Sequence, residues 1–390
     1  MLYRASLVAL LFGLFAVTAH TAEPPPILDR IRLLAAQVKS VGPKGENHTV
    51  AQKAVAELQG ISARWLTGVL GEMDSANPLA ENWLRGAVET IASRAGKDNL
   101  PMSELKYFVT SSSHSPRARR LAFELLVKAD PALEKQLLAG FLDDKSLELR
   151  RDAVQVIIDE GEKQEKAKEK DAATKSYAQA LVHARDVDQV QLLGKKLKEL
   201  EHPIDMPSRL GFVMEWQLVG PFDNAGDIGW DTAYEPEKKV DFDAEIKATY
   251  KDKEEKIGWF KHVTKDEFGL VDLATALDKH KGAVVYAATE FISDRARDVQ
   301  LRLGSPNAHK VWVNGELVGT NHVYHTGIEI DQYTFKATLK PGRNVILLKN
   351  CQNEQTEPWA QAWKFQLRVC DELGGPVLSQ DRTVPKTAAR

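Results

Sequence analysis

From about residue 27 to about residue 200, apolar side chains recur at intervals of three and four, the period of helices that bury one face. Trp65, Leu66, Val69 and Leu70 form one such stripe, Leu105, Phe108 and Val109 a second, and Leu137, Leu138, Phe141 and Leu142 a third. Each is followed by a short connector, SANP, SSSHSP or DDKS, whose Ser, Asp and Pro suit a helix N-cap or first turn. Then comes Arg-x-Ala-[Val/Phe]-x-x-[Ile/Leu], as Arg85-Ala87-Val88-Ile91, Arg120-Ala122-Phe123-Leu126 and Arg151-Ala153-Val154-Ile157. The copies start 35 and 31 residues apart, at 85, 120 and 151. One helix pair cannot bury its apolar face alone, so this period predicts stacked pairs, an α-solenoid. The repeated arginines, placed at the starts of inner helices, are expected to pair with acids or helix ends of the neighbouring unit. Further on, residues 160–200 read as a solvated charge run and another helix pair, with His183 a packing residue.

At His202 to Met206 the pattern changes. Pro203 and Pro207 interrupt the helical period, and from Gly211 apolar and polar residues alternate over short stretches, the period of half-buried strands. Candidate strands are FVMEWQLV, IGWFKHV, AVVYAATEF, DVQLRLG, HKVWVN, ELVG, QYTFKATL, NVILLKN and AWKFQLRVC. Asn314-Gly315 is a two-residue hairpin signal, and Lys340-Pro341-Gly342-Arg343 a second turn. About nine strands without intervening helices predict an antiparallel β-sandwich or jelly roll. The expected class is therefore α+β and multidomain: a signal segment over 1–22, helical repeats over 23–205, a β-sandwich over 206–378 and a disordered tail over 379–390.

The signal segment rests on Arg4, an apolar stretch from Ala5 to Val17 and small residues at Val17, Ala19 and Ala22 before a proline cluster. The stretch is shorter than the ~20 residues a spanning helix needs. An exported chain, periplasmic or secreted and not membrane-inserted after cleavage, is expected. Its 52 basic and 55 acidic residues give a net charge of -3, which offers no basic excess for nucleic acid. The two cysteines, Cys351 and Cys370, each end a candidate strand; if those strands formed one hairpin, the sulfurs would lie at its opposite ends, too far apart to bridge. Two free thiols are expected.

The helical repeats, above all PRARRLAFELL and LLAGFLDDKSLELRRDAVQVII, resemble HEAT-repeat proteins over roughly residues 60–160. In the β half, VWVNGELVG, a long polar loop, LKPGRNVILLKN and WKFQLRV look like the galactose-binding-domain-like jelly roll of sugar-binding domains attached to many glycoside hydrolases. Together with WQLVGPFDNAGDIGWDTAYEPE, the whole chain resembles a family of exported bacterial proteins that join helical repeats to such a domain. That resemblance implies an architecture and supplies no catalytic residues.

Motif-bearing chemistry is missing: there is no Gly-x-Ser-x-Gly elbow, His-Glu-x-x-His helix, phosphate-binding Gly-Lys-Ser/Thr loop or dinucleotide glycine pattern. A paired-carboxylate glycosidase needs no short motif, and Asp223, Asp227, Asp231, Glu235 and Glu237 form the densest acidic group, on a stretch where turn and capping roles account for them. Asp223, Asn224, Asp227 and Asp231 also supply the oxygens that a structural calcium ion takes, without the EF-hand spacing. His322 and His325, with Asp331 and His309, are too few and too scattered in sequence to predict zinc.

Sugar recognition uses rings that stack on a pyranose beside amides and carboxylates. Trp216, Trp259, Trp312 and Trp363 alternate along strands and are expected in the core. Trp230, Tyr234, Tyr324, His325, Trp359 and Gln361 fall in predicted loops, near Asn321, Gln352, Asn353 and Gln355, and are the expected ligand-binding residues. The reading is a non-catalytic exported protein, its sandwich binding a glycan or extended polymer and its repeats docking a protein. The alternatives are an envelope assembly protein with protein contacts only, and a hydrolase with a motif-free carboxylate pair.

Overall fold

Helix starts fall where the connectors place them. In the computed structural model, which describes residues 26–382, Asn77 accepts from the amides of Leu79 and Ala80, Ser115 from Ala118 and Ser146 from Leu149. Proline takes the first helical position after Asn77 and Ser115, where its missing N–H costs nothing. The expected signal segment, 1–22, and residues 383–390 of the expected tail lie outside the described residues. Among the described residues no helix is long and apolar enough to cross a membrane.

The chain divides into two compact units, the first ending at Leu133 and the second beginning at Glu134. In the first, α1 (Pro26–Lys39) packs on α2 (His48–Gln59), α2 and α3 (Leu66–Gly71) on α4 (Pro78–Ala95), and α5 (Met102–Thr110) on α6 (Pro116–Ala129). The predicted stripes are its interior: Leu66, Val69, Leu70, Val88, Ile91, Leu105, Val109 and Leu126 are fully buried. Arg85 lies midway along α4, not at its start, and its guanidinium meets Glu124 of α6 at 2.7 Å.

The second unit opens within α7 (Leu133–Leu138) and continues through α8 (Leu147–Lys166), α9 (Lys170–His183), α10 (Val187–Glu199) and α11 (Met206–Leu210). Arg151 of α8 meets both carboxylate oxygens of Asp188 on α10, at 2.7 and 2.6 Å. A Cβ at Gly161 would come within 2.6 Å of the Tyr177 ring, so glycine is what lets α8 and α9 approach. His183 donates to Asp143.

Among the described residues twelve strands follow, more than the nine expected. A six-stranded antiparallel sheet runs β4 (Phe260–Val263), β1 (Glu215–Asp223), β6 (Ala283–Ser293), β11 (Gly342–Gln352), β8 (Ala308–Val313), β9 (Glu316–Asn321). A four-stranded one runs β10 (Tyr333–Leu339), β7 (Arg297–Gly304), β12 (Lys364–Cys370), β5 (Val271–Asp272), and β2 (Glu245–Tyr250) pairs with β3 (Lys253–Gly258) alone. The expected strand IGWFKHV is two, β3 and β4, with Trp259 half-buried at their joint instead of in the core. Trp216, Trp312 and Trp363 are buried as expected. The two large sheets share one core, in which Trp216, Leu218, Val285, Ile346 and Leu348 meet Leu301, Leu303, Phe365, Leu367 and Val369. Asn314 and Gly315 both take positive φ, 53° and 85°, which a type I′ hairpin requires.

Three expectations need correcting. Helix gives way to strand between α11 and β1, but the expected boundary at 205/206 does not separate compact units. Val154, Ile158, Tyr177, Leu193 and Leu197 form one buried cluster with Phe212, and Met214, Phe268 and Ile330 pack on it, so these helices fold with the sheets. Cys351 and Cys370 are free and buried, but for another reason than their ends of a hairpin: β11 and β12 belong to different sheets. The start of the expected disordered tail is held: Ser379 accepts from the amide of Ile292, and Arg382 donates to the carbonyl of Phe212.

Candidate functional site

The outer face of the six-stranded sheet is covered by residues 224–259. Val219, Phe222, Val284, Tyr286, Trp312 and Leu347 there form a second core with Ile246 and Ala248 of β2, against which Trp230, Tyr234, Phe242 and Trp259 pack. Two lysines hold this layer down. Lys349 on β11, wholly buried, donates to the carbonyls of Trp230 and Thr232 and to Glu237 at 2.8 Å, and Glu237 also accepts from Tyr286. Lys310, its neighbour on β8, donates to the Trp230 carbonyl at 2.8 Å and lies 4.4 Å from the centre of the Trp230 ring. Sequence reasoning missed both lysines. Their signal is a charge at an outward position of an otherwise apolar strand, in HKVWVN and VILLKN.

At one end of this layer three loops meet, 223–231, 321–329 and 353–361. Asp227 joins the first two: His322 Nε2 donates to its Oδ2 at 2.6 Å and the Tyr324 hydroxyl to its Oδ1 at 2.5 Å. Asn224, fully buried, donates to Tyr324 and to the carbonyl of Gln352, the Gly226 amide donates to Glu354, and His325 Nε2 donates to Asn353 at 2.7 Å. Asp227 and His325 both take left-handed backbone conformations, φ 67° and 56°, which Asp and His adopt more readily than most residues.

The rings of these loops form a line. Trp230 stacks on His322 with centroids 4.1 Å apart and planes 2° from parallel; His322 meets Tyr324, Tyr324 meets His325, and His325 stands edge-on to Trp359 at 5.2 Å. The line ends on an indole that is 62% exposed. Ile228 and Val323, flanking the Asp227 junction, are also exposed. Burial, with the nearby Cys351 and the bond to Asp227, raises the Tyr324 phenol above its ordinary pKa, so it serves as a neutral donor.

Of the six expected ligand-binding residues, the structure thus brings Trp230, Tyr324, His325 and Trp359 together. Tyr234 is instead a packing residue: its ring lies between Phe222 and Tyr286, its hydroxyl donates to the Asp223 carbonyl, and burial pushes it up to about 12. The amide of Gln361 donates to Thr356 and Glu357 of its own loop.

The expected calcium set is not assembled. Asp223 accepts from the Ala225 amide, Asn224 turns its NH2 inward, Asp227 is taken by His322 and Tyr324, and Asp231 is exposed on α12 (Ile228–Asp231). Among the described residues no three His, Cys, Asp or Glu side chains gather where a metal could be held. Asp331 pairs with Arg302 and Arg368, and His309 is buried between the sheets, so neither joins His322 and His325.

A cleft of about 550 Å3 lies elsewhere, along β1, β4 and β6 between Phe242 and Arg382. None of the expected ligand residues lines it, and its Lys261 and Glu290 are paired with Glu215 and Arg343. The aromatic loops, which leave an indole uncovered, are the better candidate.

No protein-family profile matches the chain, and no curated protein does. Among solved structures, a β-glucosidase from Kluyveromyces marxianus in complex with glucose is 20% identical over 28% of this chain and 14% of its own, with a TM-score of 0.22. Faecalibacterium prausnitzii β-glucuronidase is 14% identical over 41% and 31%, with a TM-score of 0.24. The Pseudomonas fluorescens alkylpurine DNA glycosylase AlkC, bound to DNA containing an abasic site analog, is 11% identical over 89% and 94%, also at 0.24. This chain spans less than a third of the two glycosidases, and these scores are too low to assign a fold or an activity.

Proposed function

We propose that this chain is a non-catalytic exported binding protein whose 321–329 and 353–361 loops take a carbohydrate polymer on the face of Trp359. The observation that carries the reading is the line of rings from Trp230 to Trp359, ending on an exposed indole edge-on to His325, which itself donates to the amide oxygen of Asn353. A flat ring covers the apolar face of a pyranose while neighbouring amides and carboxylates meet its hydroxyls. The finer architecture belongs to the same reading: a galactose-binding-like jelly roll for the paired sheets, and HEAT-like repeats that offer a protein-docking surface. The pairing of Arg85 with Glu124 and of Arg151 with Asp188, each one helix pair along, supports the repeats.

The test is a pull-down of the full chain on a panel of insoluble polysaccharides, with Trp359→Ala alongside. Retention on at least one polysaccharide, lost in Trp359→Ala while circular dichroism is unchanged, is the expected result. Equal retention of both proteins, or none by either, would overturn the reading.

A further inference from the structure

The cleft along β1, β4 and β6 offers chemistry that the aromatic loops do not. Its volume of about 550 Å3 lies within the roughly 300–1,000 Å3 of sites that enclose a small ligand. Phe212, Val213, Trp216, Phe242, Val263 and Leu378 supply its apolar walls. Val263 and Leu378 are 48% and 40% exposed, so two large aliphatic side chains of the lining meet water.

The charged groups of the lining are engaged within the protein, with one exception. Lys261 pairs with Glu215 at 2.7 Å, and Glu290 with Arg343 at 2.5 Å. Asp205 accepts from the amide and hydroxyl of Ser208 at the start of α11, and Asp381, exposed, accepts from the Ser379 hydroxyl. Arg382 stands apart. It lines the cleft half-buried, its guanidinium donates through Nη1 to the Phe212 carbonyl at 2.9 Å, and no carboxylate of the described residues pairs with it. Asp205 attracts it from farther away, yet burial outweighs that attraction and lowers its pKa, so the charge is under-compensated. A guanidinium only donates, and its fork of N–H groups matches the two oxygens of a carboxylate.

We infer that the cleft is a second ligand site, for a single-chain amphiphile with a carboxylate head: a free fatty acid whose head meets Arg382 and whose tail runs over Trp216 and Val263 toward Phe242. A charge-assisted bond to the carboxylate compensates the half-buried guanidinium. Transfer of the tail from water onto the apolar walls strengthens binding by roughly fourfold per buried methylene. A neutral ester keeps the tail and loses the charge at Arg382. The site shares no residue with the aromatic loops and does not depend on the carbohydrate reading.

The experiment is a fluorescence titration of the full chain with cis-parinaric acid, a fatty acid whose emission rises on leaving water, beside its methyl ester. Saturation at one equivalent per chain is expected, with the acid bound at least tenfold more tightly than the ester. In Arg382→Gln, whose amide can still donate to the Phe212 carbonyl, that margin is expected to vanish. Leu378→Asp, at an exposed position of the lining, is expected to weaken acid and ester alike, with circular dichroism unchanged in both variants. Trp359→Ala is expected to bind the acid as the unaltered chain does. Equal affinity for acid and ester, a margin that survives Arg382→Gln, or unweakened binding in Leu378→Asp would each overturn the inference. Uptake of several equivalents, or no binding, would overturn it too. So would loss of binding in Trp359→Ala, which would move the ligand to the aromatic loops.

Discussion

The two faces of the six-stranded sheet are buried by different means. The inner face meets the four-stranded sheet through apolar side chains, Leu218, Val285 and Leu348 against Leu301, Phe365 and Leu367. The outer face meets the 224–259 layer through a smaller apolar patch and through Lys310, Lys349, Tyr286 and Glu237. Apolar burial rewards any close fit, so the inner face asks only for alternation and volume. A buried ammonium tolerates only an arrangement that pairs it, so the outer face specifies where a few backbone carbonyls must lie. The layer that carries Asp227 and Trp230 is positioned by those few bonds.

The comparison is sharpest if each face is damaged in turn. Phe365→Ala, which removes a fully buried ring edge-on to Trp216, is expected to lower unfolding stability by about 3–5 kcal/mol in urea denaturation. Glu237→Ala, which strands Lys349 without its carboxylate, is expected to cost about 3 kcal/mol. Adding Lys349→Met to it is expected to recover part of that loss, because the unpaired charge is gone. A cost below about 1 kcal/mol for Glu237→Ala would mean that the outer face is held by its apolar contacts, as the inner one is.

The inner face has one polar end, and pH tests it. His309 Nδ1 donates to the Asn307 carbonyl, and burial pushes the imidazole down to about 4 against an unfolded value near 6.5. The unfolded chain therefore binds the proton first as pH falls. The stability that neutral His309 contributes is complete above about pH 6.5 and is lost between there and about 4, up to roughly 3 kcal/mol. Stability measured across that window is expected to fall less steeply in His309→Asn; an unchanged slope would show that the imidazole is not kept neutral. The smallest effect belongs to the covering layer: Tyr234→Phe loses only the bond to the Asp223 carbonyl and is expected to cost about 1 kcal/mol, read as a shift in urea midpoint.

Local order was legible where a residue's neighbours in sequence decide its conformation. Asn77, Ser115 and Ser146 start helices because their side chains reach amides two or three residues on, and Asn314-Gly315 turns because both tolerate positive φ. Trp216 and Trp363 were legible as core from alternation, whereas Trp259 was not, since the break between β3 and β4 falls at it. At the site, Trp359, His325, Tyr324 and Trp230 stood out as aromatic rings among turn residues. Tyr234 looked the same in sequence, and only the packing of Phe222 and Tyr286 around it turned it inward.

By itself, then, the sequence determined the helix stripes, their caps, the hairpin turn and the alternation of the strands, because these depend on contacts a few residues apart. Tertiary structure alone decided that α8 to α10 fold with the sheets, that Cys351 and Cys370 lie on strands of different sheets, and that Asp227 accepts from His322 and Tyr324 nearly a hundred residues away. Each of those outcomes is a choice among partners that are equally plausible in composition, and only the closing of long loops brings one of them within bonding distance.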